Sequence, residues 1–216
     1  MTNVASNVHT NARKKTRVKR AAHARNLVGP LVRATYRITV HDAQNLPATG
    51  PVLLICDWAN IAAPSVLKAG LTRPVHVWAA GPAALPGPLL SITGDLAVPE
   101  TRPGVRALRD AVRYLQAGEA VAVCGPEDVG YALAVTSAAV QTVSIDAPAT
   151  KRPTDPPARK SAITLSIGPL RHVPEHLRAM RPTRGVVRAA NEWVRQLTVD
   201  SRADMRGPGN PRELGW

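Results

Sequence analysis

The sequence has no phenylalanine, and aromatic residues make up only 3% of it. It has two cysteines, Cys56 and Cys124, and each lies in an apolar run, which is typical of buried free thiols. So few cysteines exclude a disulfide-rich secreted domain, and no Cys/His spacing resembles a zinc site. We therefore expect neither a disulfide framework nor a bound metal.

Acidic residues are missing from the first 40 positions, where nine of the 28 Lys and Arg residues lie. This distribution predicts a basic arm over residues 1–37, and a helix over 13–34 would give the arm a partly apolar side. Such an arm can bind an anionic membrane surface, where each cation contributes about 1 kcal/mol. The cations that we expect at the membrane are Lys14, Lys15, Arg17, Lys19 and Arg20.

Two other interpretations of the arm stay open. The arm can bind nucleic acid phosphates, or it can be solvated without a specific partner. Nucleic acid is the less favoured partner, because residues 1–34 contain no Phe, Tyr or Trp that would stack on bases.

No apolar run in the chain has the form of a targeting or membrane-spanning segment. No apolar core follows the basic stretch, as it would in a secretory signal. Residues 74–94 carry no formal charge over a membrane-spanning length, but prolines and glycines interrupt them. We expect a cytoplasmic protein that lies peripherally on the inner face of the membrane.

The chain is organised around residues 52–56, a short apolar run bounded by turn residues. An apolar run without alternation is typical of a strand that is buried on both faces in a parallel sheet. Asp57 follows this strand directly, and ligand sites gather at the carboxyl ends of parallel strands. Asp57 and the turn after it are therefore the leading candidate for a functional site.

The other segments predict an α/β fold in which helices flank a mostly parallel sheet. The single domain is expected to span residues 38–198, and a tail is expected over 199–216. Further strands are predicted at 36–40, 74–79, 95–98, 119–124, 140–145 and 162–167. Helices are predicted from about 58 to 70 and at 102–117, 129–138 and 185–198.

The order and spacing of these segments resemble the glycerolipid (lysophospholipid) acyltransferase family, which includes the bacterial 1-acylglycerol-3-phosphate acyltransferases. The similarity spans about residues 38–173 and implies a glycerol-3-phosphate acyltransferase-like single domain. The segments that carry it are 44–55, 73–77, 94–98, 107–112, 115–121, 126–127 and 163–170, which includes the Gly168-Pro169-Leu170 ending of the last strand.

The resemblance implies acyl transfer to a lysophospholipid hydroxyl from a thioester of coenzyme A or acyl carrier protein. In the family, a His after the first core strand removes the hydroxyl proton, and an Asp five residues later orients its ring. Here Asp57 stands at the His position and Ala62 at the Asp position. A carboxylate with an ordinary pKa of about 4 is a weak base towards an alcohol, and an alanine orients nothing.

The family's substrate-binding segments are also altered. Arg102 remains from the phosphate-binding segment, displaced by about two positions. Pro126 and Glu127 remain from the next block, but Asp128 replaces a cation that would neutralise phosphate. Of the histidines elsewhere, His76 is interpreted as a core or edge residue within a strand, and His41 as a solvent-facing residue.

These departures predict a catalytically degenerate acyltransferase-like protein without a cofactor. It would bind a lipid, an acyl chain or a partner such as an active acyltransferase, while its arm contacts the membrane. Two alternatives stay open: an active acyltransferase with a non-standard base, for which acyl-coenzyme A or acyl carrier protein would be the co-substrate, and a basic nucleic-acid-associated protein.

Overall fold

The computed structural model describes residues 26, 28–58, 60–80, 96–98, 105–124, 129–152 and 155–206. The strands are β1 (Arg37–His41), β2 (Val52–Cys56), β3 (Val75–Ala80), β4 (Leu96–Val98), β5 (Ala120–Cys124), β6 (Ala139–Asp146) and β7 (Ala162–Ile167). The helices are α1 (28–35), α2 (Ala63–Gly70), α3 (Val105–Gln116), α4 (Gly130–Thr136) and α5 (Arg184–Arg206). Short 3₁₀ helices cover Ala43–Asn45 and Glu175–Leu177.

The strands form one seven-stranded sheet in the order β1-β7-β6-β2-β5-β3-β4. The five strands from β6 to β4 are parallel, whereas β7 pairs with β6 in the antiparallel sense and β1 pairs with β7 in parallel. The predicted α/β class and the mostly parallel sheet are confirmed, and each predicted strand lies within one residue of its expected bounds. We call the side of the sheet where β2, β5 and β3 begin the amino edge, and the side where they end the carboxyl edge.

The sheet has a hydrophobic core on each face, and β2 contributes to both. Val52, Leu54 and Cys56 belong to the core that α1 and α2 cover, whereas Leu53 and Ile55 belong to the core beneath α3, α4 and α5. Every residue of β2 is buried. Burial on both faces explains why the strand is a continuous apolar run rather than an alternating one.

Helix α3 ends in the glycine cap that the sequence predicts. Gly118 has a φ of +80°, in the left-handed region that favours glycine. The amide of Glu119 donates to the carbonyl of Tyr114, and that of Gly118 donates to the carbonyl of Leu115. This pair of bonds is a Schellman motif, which turns the chain directly from α3 into β5.

Both predicted domain boundaries differ from the structure. The domain begins before residue 38, because α1 buries Val32 and its Arg33 guanidinium donates to the carbonyl of Ala69, with Nη2 at 2.7 Å. At the other end, α5 continues to Arg206 instead of ending near 198. The Thr142 hydroxyl donates to Ser201 Oγ at 2.9 Å, and this bond ties the extra turns of α5 to β6. The arm cations from Lys14 to Arg20 lie outside the described residues.

The start of α2 also differs from the prediction. The helix begins at Ala63 rather than near residue 58, because residues 60–62 form a turn in which the Ala62 amide donates to Asn60 Oδ1.

Arg73 joins three loops at the amino edge. Its Nη1 donates to the carbonyls of Pro47 at 2.9 Å and Gly50 at 3.0 Å, and its Nη2 donates to that of Gly118 at 3.2 Å. Burial lowers the pKa of Arg73 below its usual value, and the nearby carboxylate of Glu119 partly opposes this. The planar guanidinium thus connects the turn before β2 with the turn before β5.

A buried histidine pairs with a carboxylate at the same edge. His76 is 2% exposed, and its Nε2 lies 2.5 Å from Glu119 Oε2. The imidazole also stacks on Tyr114, with the ring centroids 3.7 Å apart and the planes inclined by 6°. His76 is therefore a core residue with a satisfied polar contact. It does not lie on an edge strand, because β3 pairs with both β4 and β5.

We expect Arg73→Lys to lower the free energy of unfolding by about 1.5–3 kcal/mol, because one ammonium group cannot span carbonyls in two separate turns. Denaturant titration measures the change. The matched control is Arg113→Lys, because Arg113 is exposed and its ion pair with Asp110 lies within the single helix α3. The control substitution should change the free energy of unfolding by no more than about 0.5 kcal/mol. Equal effects of the two substitutions would contradict the role of Arg73.

His76→Phe keeps an aromatic ring beside Tyr114 but removes the partner of Glu119. We expect it to lower the free energy of unfolding by about 1–3 kcal/mol, because it leaves a mostly buried carboxylate without this contact. Glu119→Gln in the His76→Phe background should recover part of the loss, since a neutral amide costs less to bury. Denaturant titration of the four proteins in this cycle provides the check, and additive effects would show that the pair does not interact.

Candidate functional site

At the carboxyl edge, β2 and β5 end at the same level, whereas β6 extends further. Cys56 ends β2 and pairs in register with Cys124, which ends β5. On its other side Cys56 pairs with Val143, so Ser144–Asp146 of β6 project beyond the end of β2. Asp57 therefore lies beside the projecting end of β6.

Asp57 is hydrogen-bonded to the projecting end of β6 through both its backbone and its side chain. Its amide donates to the Val143 carbonyl at 3.3 Å. Its Oδ2 accepts from the Ser144 hydroxyl at 3.0 Å, and its Oδ1 accepts from the Ile145 amide at 3.1 Å. The half-buried carboxylate continues the β2–β6 hydrogen bonding beyond the end of the strand, which is a structural role.

Asn60, which the sequence analysis did not single out, organises the turn after Asp57. It is 2% exposed, and its Oδ1 accepts from the amide of Ala62 at 2.9 Å. Its Nδ2 donates to the Asp155 carbonyl at 3.1 Å and contacts the Thr150 hydroxyl at 3.4 Å. An asparagine two residues before the amide that it binds is a common turn signal. No local pattern in the sequence predicts the hydrogen bonds from Asn60 to residues 150 and 155, because these residues are distant in the chain.

Ala62 lies at the start of α2, where it has no polar function. It is 8% exposed and belongs to the core beneath α1 and α2. It occupies the N-cap position in a helical conformation without a side-chain cap, and Pro64 stands within the first turn. The methyl group of Ala62 has no means of orienting an imidazole.

His76 and His41 both lie far from Asp57. His76 pairs with Val121 across β3 and β5, three residues before Cys124, which places it about 10 Å below the carboxyl edge. His41 ends β1, which β7 and β6 separate from β2, and its side chain is exposed. The structure therefore contains a His–carboxylate pair, His76–Glu119, but at the opposite edge of the sheet.

The other predicted site residues are only partly covered. Arg102, Pro126 and Glu127 lie outside the described residues. Cys56 and Cys124 are buried, as predicted, and neither forms a disulfide. Within the described residues, no group of three or more His, Cys, Asp or Glu side chains is arranged to hold a metal ion. Among the helices of that same part of the chain, none combines the length and apolar character needed to cross a membrane.

The fold is similar to that of a known acyltransferase. The crystal structure of the 1-acyl-sn-glycerophosphate (LPA) acyltransferase PlsC from Thermotoga maritima superposes with a TM-score of 0.55. The similarity covers 91% of this chain and 81% of that chain, at 13% sequence identity. No protein-family model matches the sequence, and no curated protein matches it. The chain thus has an acyltransferase-like α/β fold, with Asp57 and Ala62 at the carboxyl end of its central strand.

Proposed function

We propose that this protein binds a lysophospholipid or an acyl chain at the carboxyl edge without transferring acyl groups by a His–Asp mechanism. The observation that carries the proposal is the state of Asp57, whose carboxylate is bound to Ser144 and Ile145. The shared fold with an LPA acyltransferase supports the ligand class. The basic arm would hold the protein on the membrane from which such a ligand comes.

The chemistry of the site supports binding rather than transfer. Attack of an alcohol on a thioester needs a base that takes the hydroxyl proton at the moment of reaction. Asp57 directs its two oxygens to donors on β6, and Ala62 supplies no group that would orient a base. A partner such as an active acyltransferase would then use the bound lipid, and this protein would act as its carrier or regulator.

A turnover assay tests the proposal. The full chain is incubated with lysophosphatidic acid and acyl-coenzyme A, and in a parallel reaction with an acylated acyl carrier protein as the donor. We expect the free thiol of the donor to be released at the uncatalysed rate. Calorimetry with monomeric short-chain lysophosphatidic acid should detect binding in the same preparation. Asp57→Asn is the control, because an amide keeps the size of the side chain and removes the carboxylate. Turnover by the parent chain that Asp57→Asn abolishes would contradict the proposal.

The structural role of Asp57 leads to a separate stability prediction. Asp57→Ala should lower the free energy of unfolding by about 1–3 kcal/mol, because the Ser144 hydroxyl and the Ile145 amide lose their acceptor. Asp57→Asn should cost less, since its carbonyl oxygen can still accept from the Ile145 amide. Combining Asp57→Ala with Ser144→Ala in a double-mutant cycle isolates the side-chain bond. If Asp57→Ala is as stable as the parent chain, the carboxylate does not serve to fasten β2 to β6.

A further inference from the structure

Residues 178–183 form a loop that exposes an apolar side chain, Met180, to solvent. The loop joins the 3₁₀ helix Glu175–Leu177 to α5. Met180 near its centre is 97% exposed, whereas the other exposed large hydrophobic side chains among the described residues reach at most 70%. A single exposed apolar side chain is common on protein surfaces and carries little meaning alone, so its setting decides the interpretation.

Hydrogen bonds fix this 178–183 loop on both sides of Met180. Before it, the Arg178 guanidinium donates to the Val173 carbonyl at 2.6 and 2.8 Å, and the Ala179 amide donates to the carbonyl of Ala134 on α4 at 2.9 Å. After it, the Val187 amide donates to the Thr183 carbonyl at 3.1 Å. The fold therefore holds Met180 out from the surface on an anchored loop.

The segment on both sides of Met180 in the sequence is rich in exposed cations and poor in acidic residues. The exposed arginines of the segment 171–188 are Arg171, Arg178, Arg181, Arg184 and Arg188. Glu175 is the one acidic residue in this segment of the sequence. An exposed apolar side chain flanked by exposed cations suits contact with anionic lipid, because the apolar group can enter the acyl boundary while the cations meet the headgroups.

We propose that the 178–183 loop, together with Arg184 and Arg188, docks on an anionic membrane surface with Met180 inserted among the lipids. Nucleic acid binding would use the arginines, but it would not require an exposed apolar side chain such as that of Met180. The inference rests on the proposed function to the extent that both place the protein on a membrane. It uses none of the residues of the basic arm, and it assigns the contact to the face of the sheet that α4 and α5 cover.

Vesicle sedimentation of the full chain tests the proposal. Two vesicle compositions are compared, phosphatidylcholine alone and equal parts of phosphatidylcholine and phosphatidylserine. We expect Met180→Asp to lower the partition coefficient on the anionic vesicles about tenfold, and Met180→Leu to leave it within about twofold. Arg181→Ala should lower it roughly fivefold on anionic vesicles and leave the small affinity for neutral vesicles unchanged.

The control for Met180→Asp is Val199→Asp, which introduces the same charge at an exposed apolar position of α5, 59% exposed, outside the loop. It should bind vesicles like the parent chain, and thermal unfolding should show that all variants are folded. The proposal is overturned if Met180→Asp and Val199→Asp bind equally, or if Arg181→Ala weakens binding to a DNA duplex while vesicle binding is unchanged.

The same variants separate this inference from the proposed function. Binding of monomeric short-chain lysophosphatidic acid in the absence of vesicles should be the same for Met180→Asp and the parent chain. If the parent chain binds no such ligand but loses vesicle affinity on Met180→Asp, the loop contact stands and the proposed ligand site fails. If ligand binding is intact and Met180→Asp has no effect on vesicles, the loop contact fails alone.

Discussion

The burial of β2 on both faces is the constraint on which the rest of the structure depends. Because β2 lies between β5 and β6 and contributes side chains to both cores, it cannot shift along its axis without exposing apolar surface or breaking two ladders at once. The residue after Cys56 therefore has a fixed position beside the projecting end of β6. Any side chain at position 57 must suit the donors of Ser144 and Ile145, and an aspartate does.

The two edges of the sheet use polar side chains for the same purpose. At the amino edge, Arg73 joins the turns before β2 and β5, and His76 pairs with Glu119 beneath Tyr114. At the carboxyl edge, Asp57 and Asn60 fasten the end of β2 to neighbouring segments. A His–carboxylate contact alone is thus no sign of catalysis, because catalysis also requires access to a substrate, and His76 is 2% exposed.

Local signals in the sequence predicted the strands, the cap at Gly118 and the place of Asp57 at a strand end. Each depends on a few consecutive residues and on the period of apolar side chains. The contacts that the sequence did not predict join distant segments: 95 residues separate Asn60 from Asp155, 43 separate His76 from Glu119, and 59 separate Thr142 from Ser201. Similarly, α1 follows the basic stretch 13–25 and was expected to be part of the arm; only the burial of Val32 and the bond from Arg33 to Ala69 show that it packs on α2.

The turn at residues 60–62 is consistent with an alanine at position 62 and unfavourable for the aspartate that the acyltransferase resemblance implies there. Asn60 already binds the amide at position 62, and the side chain there faces the apolar core at 8% exposure. An aspartate placed at this point would bury a carboxylate without a described donor, and a histidine at 57 would remove the acceptor of Ile145. Because both substitutions oppose the packing present, placing a histidine at 57 and an aspartate at 62 without other changes would destabilise the turn. Asp57, Ala62 and the hydrogen bonding around Asn60 therefore form one structural unit, in which a change at one position affects the others.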